Sequence, residues 1–561
     1  ETPAQETPAQ ETPAQETPAQ ETPAQVGRAG RVPPGGLRLP ACVRIATGVH
    51  RSRYAGAMLV HPYLHMVGAE SILAGMTGGP ARRYDDLAVL TTATFGFALG
   101  IDTVEGVKHL SRAEAGAALG LARIPELATL RARLGALADG GDPLGLQRAF
   151  AAAMLRTDPA DAPVYFVDDH FVPYAGARPV AKGWNTKRRH AEPGRDDTLL
   201  VDARGRAVVF DSSEPTALST TLPGVLAQLR RVLGPNAPIT LAFDRGGAQP
   251  VTFRACRDAG AHWLTYRRAP LAATTATPAQ YPITRGDKVV TVTLADETVQ
   301  ITGYGSARQL SLYEHDTLVL QVLTSDTTAS APDLLWWLRA RWRIENFFKY
   351  AAEHNGIDSL ADYVMDIAPD DRKVPNPARA AARKTLTDAQ SSLAGAERAL
   401  AQLLSGPAAV SQTNAALPAA HADITAATAA VTAAKTALKP IPAKIAITDL
   451  DPDARRAHPR LQRRGLQMVL RLLAYNAEAW LAEHFNTYLN DGDEHRAILR
   501  HLLHLGGHIT YTPDTITITL DRPDTPRVAR ALTLLTEELN TKAATMPGDH
   551  RPLTYHISAT P

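Results

Sequence analysis

The stretch SAPDLLWWLRARWRIENFFKYAAEHNG, residues 330–356, decides how the chain is read. Its punctuation predicts one long helix. Ser330 can cap it, Pro332 suits a first turn where a missing N–H costs nothing, Asp333 complements the positive end, and Asn355-Gly356 supplies a stop. On such a helix Glu345 has Trp342 and Arg341 one turn before it, and Phe348 and Lys349 one turn after it. The conservative interpretation is a surface glutamate between two cations, beside a buried aromatic stripe. What precedes it in the chain argues for more.

Working upstream, the period changes from helix to strand at Val164. A short apolar run over 164–167 ends in Asp168-Asp169-His170, and strands over 198–201 and 206–211 follow as a meander. A helix is predicted over 222–233, then a strand over 239–243 ending in Asp244-Arg245-Gly246-Gly247, a helix over 249–259 and a strand over 262–266. Strands in hairpins first, then alternating with helices, predict an α/β fold: a mixed sheet with helices on its faces. Residues 268–318 read as a β-rich insertion, and a strand over 318–323 leads into the Glu345 helix.

The flanks are of other kinds. Residues 1–25 are five copies of Glu-Thr-Pro-Ala-Gln, which bury nothing and are expected to be disordered. Residues 26–54 read as a Gly/Pro/Arg-rich linker. Apolar spacing of three and four over 86–99, 104–119 and 125–137 makes 55–157 a helical N-terminal region, with a helix-turn-helix DNA reader as the sharper possibility. The Ala-rich segment 376–440 predicts a helical hairpin. The region 446–561 opens with a predicted basic helix carrying Arg455, Arg456, Arg460, Arg463, Arg464 and Arg471, and holds a short β-hairpin over 508–520.

Composition narrows the class of protein. With 561 residues, 45% of them hydrophobic, the chain can build several sizeable cores. The formal net charge is +2, and setting aside the five glutamates of the opening repeat leaves +7, compatible with a polyanionic partner. Two cysteines, Cys42 and Cys256, make neither a disulfide framework nor a zinc set, which fits a reducing cytosol. With no apolar run of membrane-spanning length and no signal-peptide pattern, the expectation is a soluble cytoplasmic protein without a membrane partner. His501, His504 and His508 have near-helical spacing, but Gly506-Gly507 interrupts it. Neither a covalent-catalysis grouping nor a phosphate-binding glycine loop is present, so nucleotide hydrolysis is not suggested.

Asp168 and Asp244 each follow a short apolar run, at the ends of buried strands where an unpaired charge is costly. Two strand-end acids and a helical one suit hard divalent cations, Mg²⁺ or Mn²⁺, in a two-ion site that stabilises the attacking and leaving oxygens of an in-line phosphoryl displacement. Gly246-Gly247 removes side-chain bulk beside Asp244. Strand alternation leaves open whether Asp168 or Asp169 is the first acid. A cationic stripe follows it, Arg178, Lys182, Lys187, Arg188, Arg189 and Arg195 with Trp184 among them, of the kind a DNA backbone and an unstacked end would meet.

YFVDDHFVPYAG (165–176), LAFDRGG (241–247) and RARWRIENFFKYAAEHNGIDSLADY (339–363) resemble the three acidic motifs of DDE transposases of bacterial insertion sequences. The resemblance implies a ribonuclease-H-like catalytic domain over 160–365, with Asp168, Asp244 and Glu345 as catalytic, metal-holding residues. It favours Asp168 over Asp169. Relatives often carry Tyr seven residues before the Glu, Arg four before it and Lys seven after. Here those positions are Leu338, Arg341 and Ala352, so only the Arg matches and Lys349 is the candidate for the lysine's role. The implied function is cutting DNA at element ends and joining them to target DNA, by a homodimer or larger assembly. Arg341 and Lys349, the stripe after the first acid, and Arg463 and Arg464 would then contact DNA. The rival expectations are a nuclease without strand transfer and an inactive DNA-binding relic.

Overall fold

In the computed structural model, the residues described are 43–76, 83–285, 288–361, 364–407, 409–489 and 494–559. The repeat over 1–25 and the linker as far as residue 42 lie outside them. The architecture is mixed α/β. Val164–Pro173, the first strand of the central sheet, pairs antiparallel with the second, His190–Val201, which pairs antiparallel with the third, Ala207–Ser213. On its other side the first strand pairs parallel with the fourth, Thr240–Phe243, and that one with the fifth, His262–Tyr266. Across the sheet the order is therefore third, second, first, fourth, fifth. Parallel neighbours need crossovers, which Leu218–Leu233 and Pro250–Asp258 provide. Thr317–Thr324 extends the sheet antiparallel to the fifth strand, and Gly305–Glu314, Lys288–Ile301 and Ala279–Arg285 continue it outward as the β-rich insertion.

Because successive strand residues face opposite ways, each apolar run feeds two cores. Tyr165, Val167, Leu241, Phe243 and Trp263 join Leu222, Leu226 and Phe253 of the crossover helices on one face. Val164, Phe166, Leu199, Ala242 and Leu264 join Leu334, Leu338, Ile344 and Phe347 of the Glu345 segment, with Met468 and Leu472, on the other. This parity decides which polar residues at the strand ends can meet.

The stretch expected as one helix is two, Ala331–Arg339 and Trp342–His354. The Ser330 hydroxyl caps the first as anticipated, accepting from the Asp333 N–H at 3.1 Å. The hydrogen bonds around Leu338 mark the break. The Leu338 carbonyl accepts from the Arg341 N–H at 3.2 Å and the Tyr266 hydroxyl at 3.4 Å, and Arg343 and Ile344 also bond three residues back. Three-residue bonds tighten the chain and turn the axis between Arg339 and Trp342. Trp342, expected on a buried stripe, is 54% exposed.

The two ends of the chain build shared structure. Gly48–Ser52, within the segment read as linker, pairs with Gly507–Tyr511 of the C-terminal hairpin in a sheet completed by Ile516–Leu520 and Leu553–Ile557. Helix Asp86–Ala98 is buried from Ala88 to Ala98, so it has no face free to enter a DNA groove, as a recognition helix must. It packs against the long helix Leu461–Asn486. The basic helix expected from Arg455 begins only at Leu461; Arg455–Pro459 is instead a strand paired with Met365–Pro369. With the ladder Lys373–Pro375 to Lys444–Ala446, it forms the base of the Ala-rich arm, Pro377–Ser405 and Val410–Leu438. No helix among the described residues is long and apolar enough to cross a membrane.

Candidate active site

Asp168 lies opposite Leu199, and so on the face covered by the Glu345 helix; Asp244, two residues beyond Ala242, continues the same face. Asp169 points the other way, where its carboxylate accepts from the Thr198 hydroxyl at 2.6 Å. The turn after Asp244 is fixed by its own carboxylate, which accepts from the Gly247 N–H at 3.1 Å, and by the Arg268 guanidinium, which donates to the Arg245 and Gly246 carbonyls at 2.8 and 2.7 Å. A Cβ at Gly246 would stand 2.9 Å from the Asp244 carboxylate, so glycine lets the turn approach the acid.

The break before Trp342 brings Arg341 to the acids. Its guanidinium donates to Asp168 at 3.4 Å and also bonds Glu345, so one cation joins the first and third acids. Burial, then repulsion from Asp244, pushes the Asp168 carboxyl up to about 7 against the pull of Arg341. Burial also raises Asp169, to about 6, opposed by the Thr198 hydroxyl and reinforced by Asp196 and Asp244. Oxygen donors of this kind suit a hard divalent cation. As they stand, no three His, Cys, Asp or Glu side chains among the described residues are gathered closely enough to hold one.

Sequence reading gave no role to His170, Asp358 or Tyr266, all of which border this site. His170 shares the face of Asp168, stacks on Phe348 with centroids 4.8 Å apart, and bonds Asp358 at 2.5 Å. Tyr266 lies beneath the helix break, with the Arg245 guanidinium 5.6 Å from its ring. A signal was available for two of them: His170 completes the Asp168-Asp169-His170 run in the first strand, and Tyr266 ends the fifth. Farther along the Glu345 helix, the Tyr350 hydroxyl bonds the buried Glu478, which Arg500 also reaches at 3.2 Å, anchoring the helix to the C-terminal region.

A family model described as a transposase protein matches residues 39–559. The chain belongs to this transposase family. Among solved structures, a cryo-EM structure of a piggyBac transposase synaptic complex with hairpin DNA covers 54% of the transposase and 68% of its own chain, at 9% identity and a TM-score of 0.27. No curated protein matches the sequence.

The basic residues of the transposase fall into two groups. Arg178, Lys182, Trp184, Lys187, Arg188 and Arg189 are exposed, most of them on a hairpin in which Lys182–Asn185 pairs with the start of the second strand, and Arg188 pairs with Glu192 at 2.9 Å. Lys349 is exposed on the Glu345 helix. The C-terminal arginines correct the sequence reading. Arg463 pairs with Asp139 at 2.6 Å, and Arg464 is buried against Asp197, where no phosphate can reach it. Arg456 is held by Glu214 and Asp371, Arg460 by Asp366, and the buried Arg471 donates to the Asp102 carbonyl. Arg195, part of the expected stripe, is largely buried and bonds Asp197 at 3.3 Å.

Proposed function

We propose that this transposase is a DDE enzyme of the bacterial insertion-sequence type, with Asp168, Asp244 and Glu345 as its acids. The observation that carries the reading is the Arg341 guanidinium shared by Asp168 and Glu345, on the sheet face that Asp244 also occupies. Arg341 joins acids 177 positions apart in the chain, and burial with the neighbouring Asp244 raises the Asp168 carboxyl even against Arg341, a perturbation of the kind that clusters at functional sites. The strand order third, second, first, fourth, fifth, antiparallel then parallel, supports a ribonuclease-H-like catalytic domain. Asp168 is the better first acid, because Asp169 faces away and is engaged by Thr198.

Asp168, Asp244 and Glu345 are the residues that would hold Mg²⁺ or Mn²⁺, whose preference for oxygen donors their carboxylates match. When bound, the ion polarises phosphoryl oxygens and stabilises the attacking and leaving oxygens. The protein's own contribution is to fix two acids on adjacent strands, bring the third on a helix, and shield them with Phe348 and Tyr266. DNA enters along the exposed hairpin with Lys182, Trp184, Lys187, Arg188 and Arg189, joined by Arg178 and Lys349. Two DNA ends call for at least a dimer on DNA.

The test uses an oligonucleotide with the element end and a free 3′-hydroxyl, incubated with supercoiled plasmid and Mg²⁺ or Mn²⁺. Cleaved and joined products are expected from the parent protein, with a loss of roughly a hundredfold or more in Asp168→Asn, Asp244→Asn and Glu345→Gln. Cutting without joining identifies a nuclease. Binding without either product identifies an inactive relic.

A further inference from the structure

We propose that Arg341 is an internal counter-cation, a latch that pairs Asp168 with Glu345 and must be displaced before a divalent cation can be held there. The inference rests on the reading that these acids form the metal site. One guanidinium contacts both carboxylates, so it stands where a shared cation would stand. The three acids as they lie do not enclose an ion, and the side chain lying between two of them is this arginine.

The backbone sets the latch in place. Arg341 lies between the two helices, at a tightened turn in which the Leu338 carbonyl is taken by the Arg341 N–H and the Tyr266 hydroxyl. A continuous helix would carry residue 341 on a different heading; the break turns it to the sheet. Its side chain is only 16% exposed and Asp168 only 28%, so that side of the latch is sheltered, while Glu345, 56% exposed, holds the outer side. Arginine does not lose its proton at any ordinary pH, so its charge can leave the site only by movement. A divalent ion and a guanidinium compete for the same oxygens, and the two bound states exclude each other.

Mutually exclusive binding has a direct thermodynamic consequence: removing the internal competitor tightens the external one. The experiment is calorimetric titration of Mn²⁺ into the full chain without DNA, for the parent, Arg341→Gln, Arg341→Lys, Asp168→Asn and the double variant Asp168→Asn/Arg341→Gln. Arg341→Gln is expected to bind Mn²⁺ more tightly, within the usual coupling range of roughly 5- to 150-fold. Arg341→Lys, which keeps the charge but loses the two-pronged fork, should fall between it and the parent, and it carries the test if the glutamine variant does not fold. The double variant should lose the gain. If Arg341→Gln binds no tighter than the parent while Asp168→Asn weakens binding, the metal site stands and the latch is refuted. If Asp168→Asn leaves Mn²⁺ binding unchanged, the metal-site reading falls and takes the latch with it.

Discussion

Removing Arg464 should unfold the protein more readily, with no selective effect on DNA binding. The side chain is 4% exposed and its partner Asp197 is 1% exposed. Asp197 accepts from Arg464 through both oxygens, from the Ser212 hydroxyl at 2.6 Å and from Arg195 at 3.3 Å, while Arg464 also donates to the Ile357 carbonyl at 2.9 Å. Burial pushes the Asp197 carboxyl up, but the Arg464 and Arg195 guanidiniums and the Ser212 hydroxyl together hold it below the usual carboxylate range. Breaking a buried pair by deleting one partner costs about 3–5 kcal/mol, because a charge is left uncompensated. Arg195 and Ser212 remain beside Asp197 in Arg464→Ala, which places the expectation near the lower end, about 3 kcal/mol. With a urea dependence of about 3 kcal/mol per molar, the unfolding midpoint should fall by roughly 1 M. Replacing both partners, as in Asp197→Leu/Arg464→Met, should not restore the parent's midpoint, because it takes from the largely buried Arg195 its Asp197 partner and leaves that charge uncompensated. An Arg464→Ala protein with the parent's urea midpoint and a specific loss of DNA affinity would refute this and return Arg464 to the DNA-binding surface.

Three further outcomes follow from the same packing. Burial lowers His61 from 6.5 to about 4, against a weaker opposing contact from the Ala118 backbone. Below pH 6.5 the unfolded chain therefore takes up a proton that the folded one refuses, so stability falls as pH drops toward 4, by on the order of 3 kcal/mol. His61→Leu should flatten that part of the stability profile between pH 7 and 4, as measured by urea melts; an unchanged slope would count against it. Asn476 both donates to and accepts from the Ala207 backbone, each at 2.9 Å, beside the irregular pairing at Val201. Asn476→Leu leaves two buried backbone groups unpaired and should cost about 2–4 kcal/mol, read in the same melts. Gly246→Ala should displace the Asp244 carboxylate from its present position, lowering strand cleavage with little change in unfolding midpoint, whereas equal cleavage by the two proteins would show that the turn has room to spare.

Much of this could be read along the chain, because it depends on neighbours in sequence. The apolar runs before Asp168 and Asp244 gave a strand at each place; the second ends at its acid, but the first runs on through Asp168 to Pro173, because its polar half is held by pairing with the second strand rather than by an apolar pattern of its own. The Ser330 cap and the Ala-rich hairpin were legible for the same reason. Other features needed the fold. Alternation assigns Asp168 and Asp169 to opposite faces, yet which face receives the Glu345 helix is settled only when the helix packs on Val164, Phe166 and Leu199. The helix break was hidden because the Tyr266 hydroxyl that takes the Leu338 carbonyl comes from a strand 72 residues away. Arg463 and Arg464 look like an open basic surface in a linear sequence, but Asp139 and Asp197, 324 and 267 residues distant, neutralise them. Local periodicity thus determined where strands, helices and acids lie along the chain, whereas pairing of charges across long separations, which depends on burial and a low local dielectric, was decided only by tertiary packing.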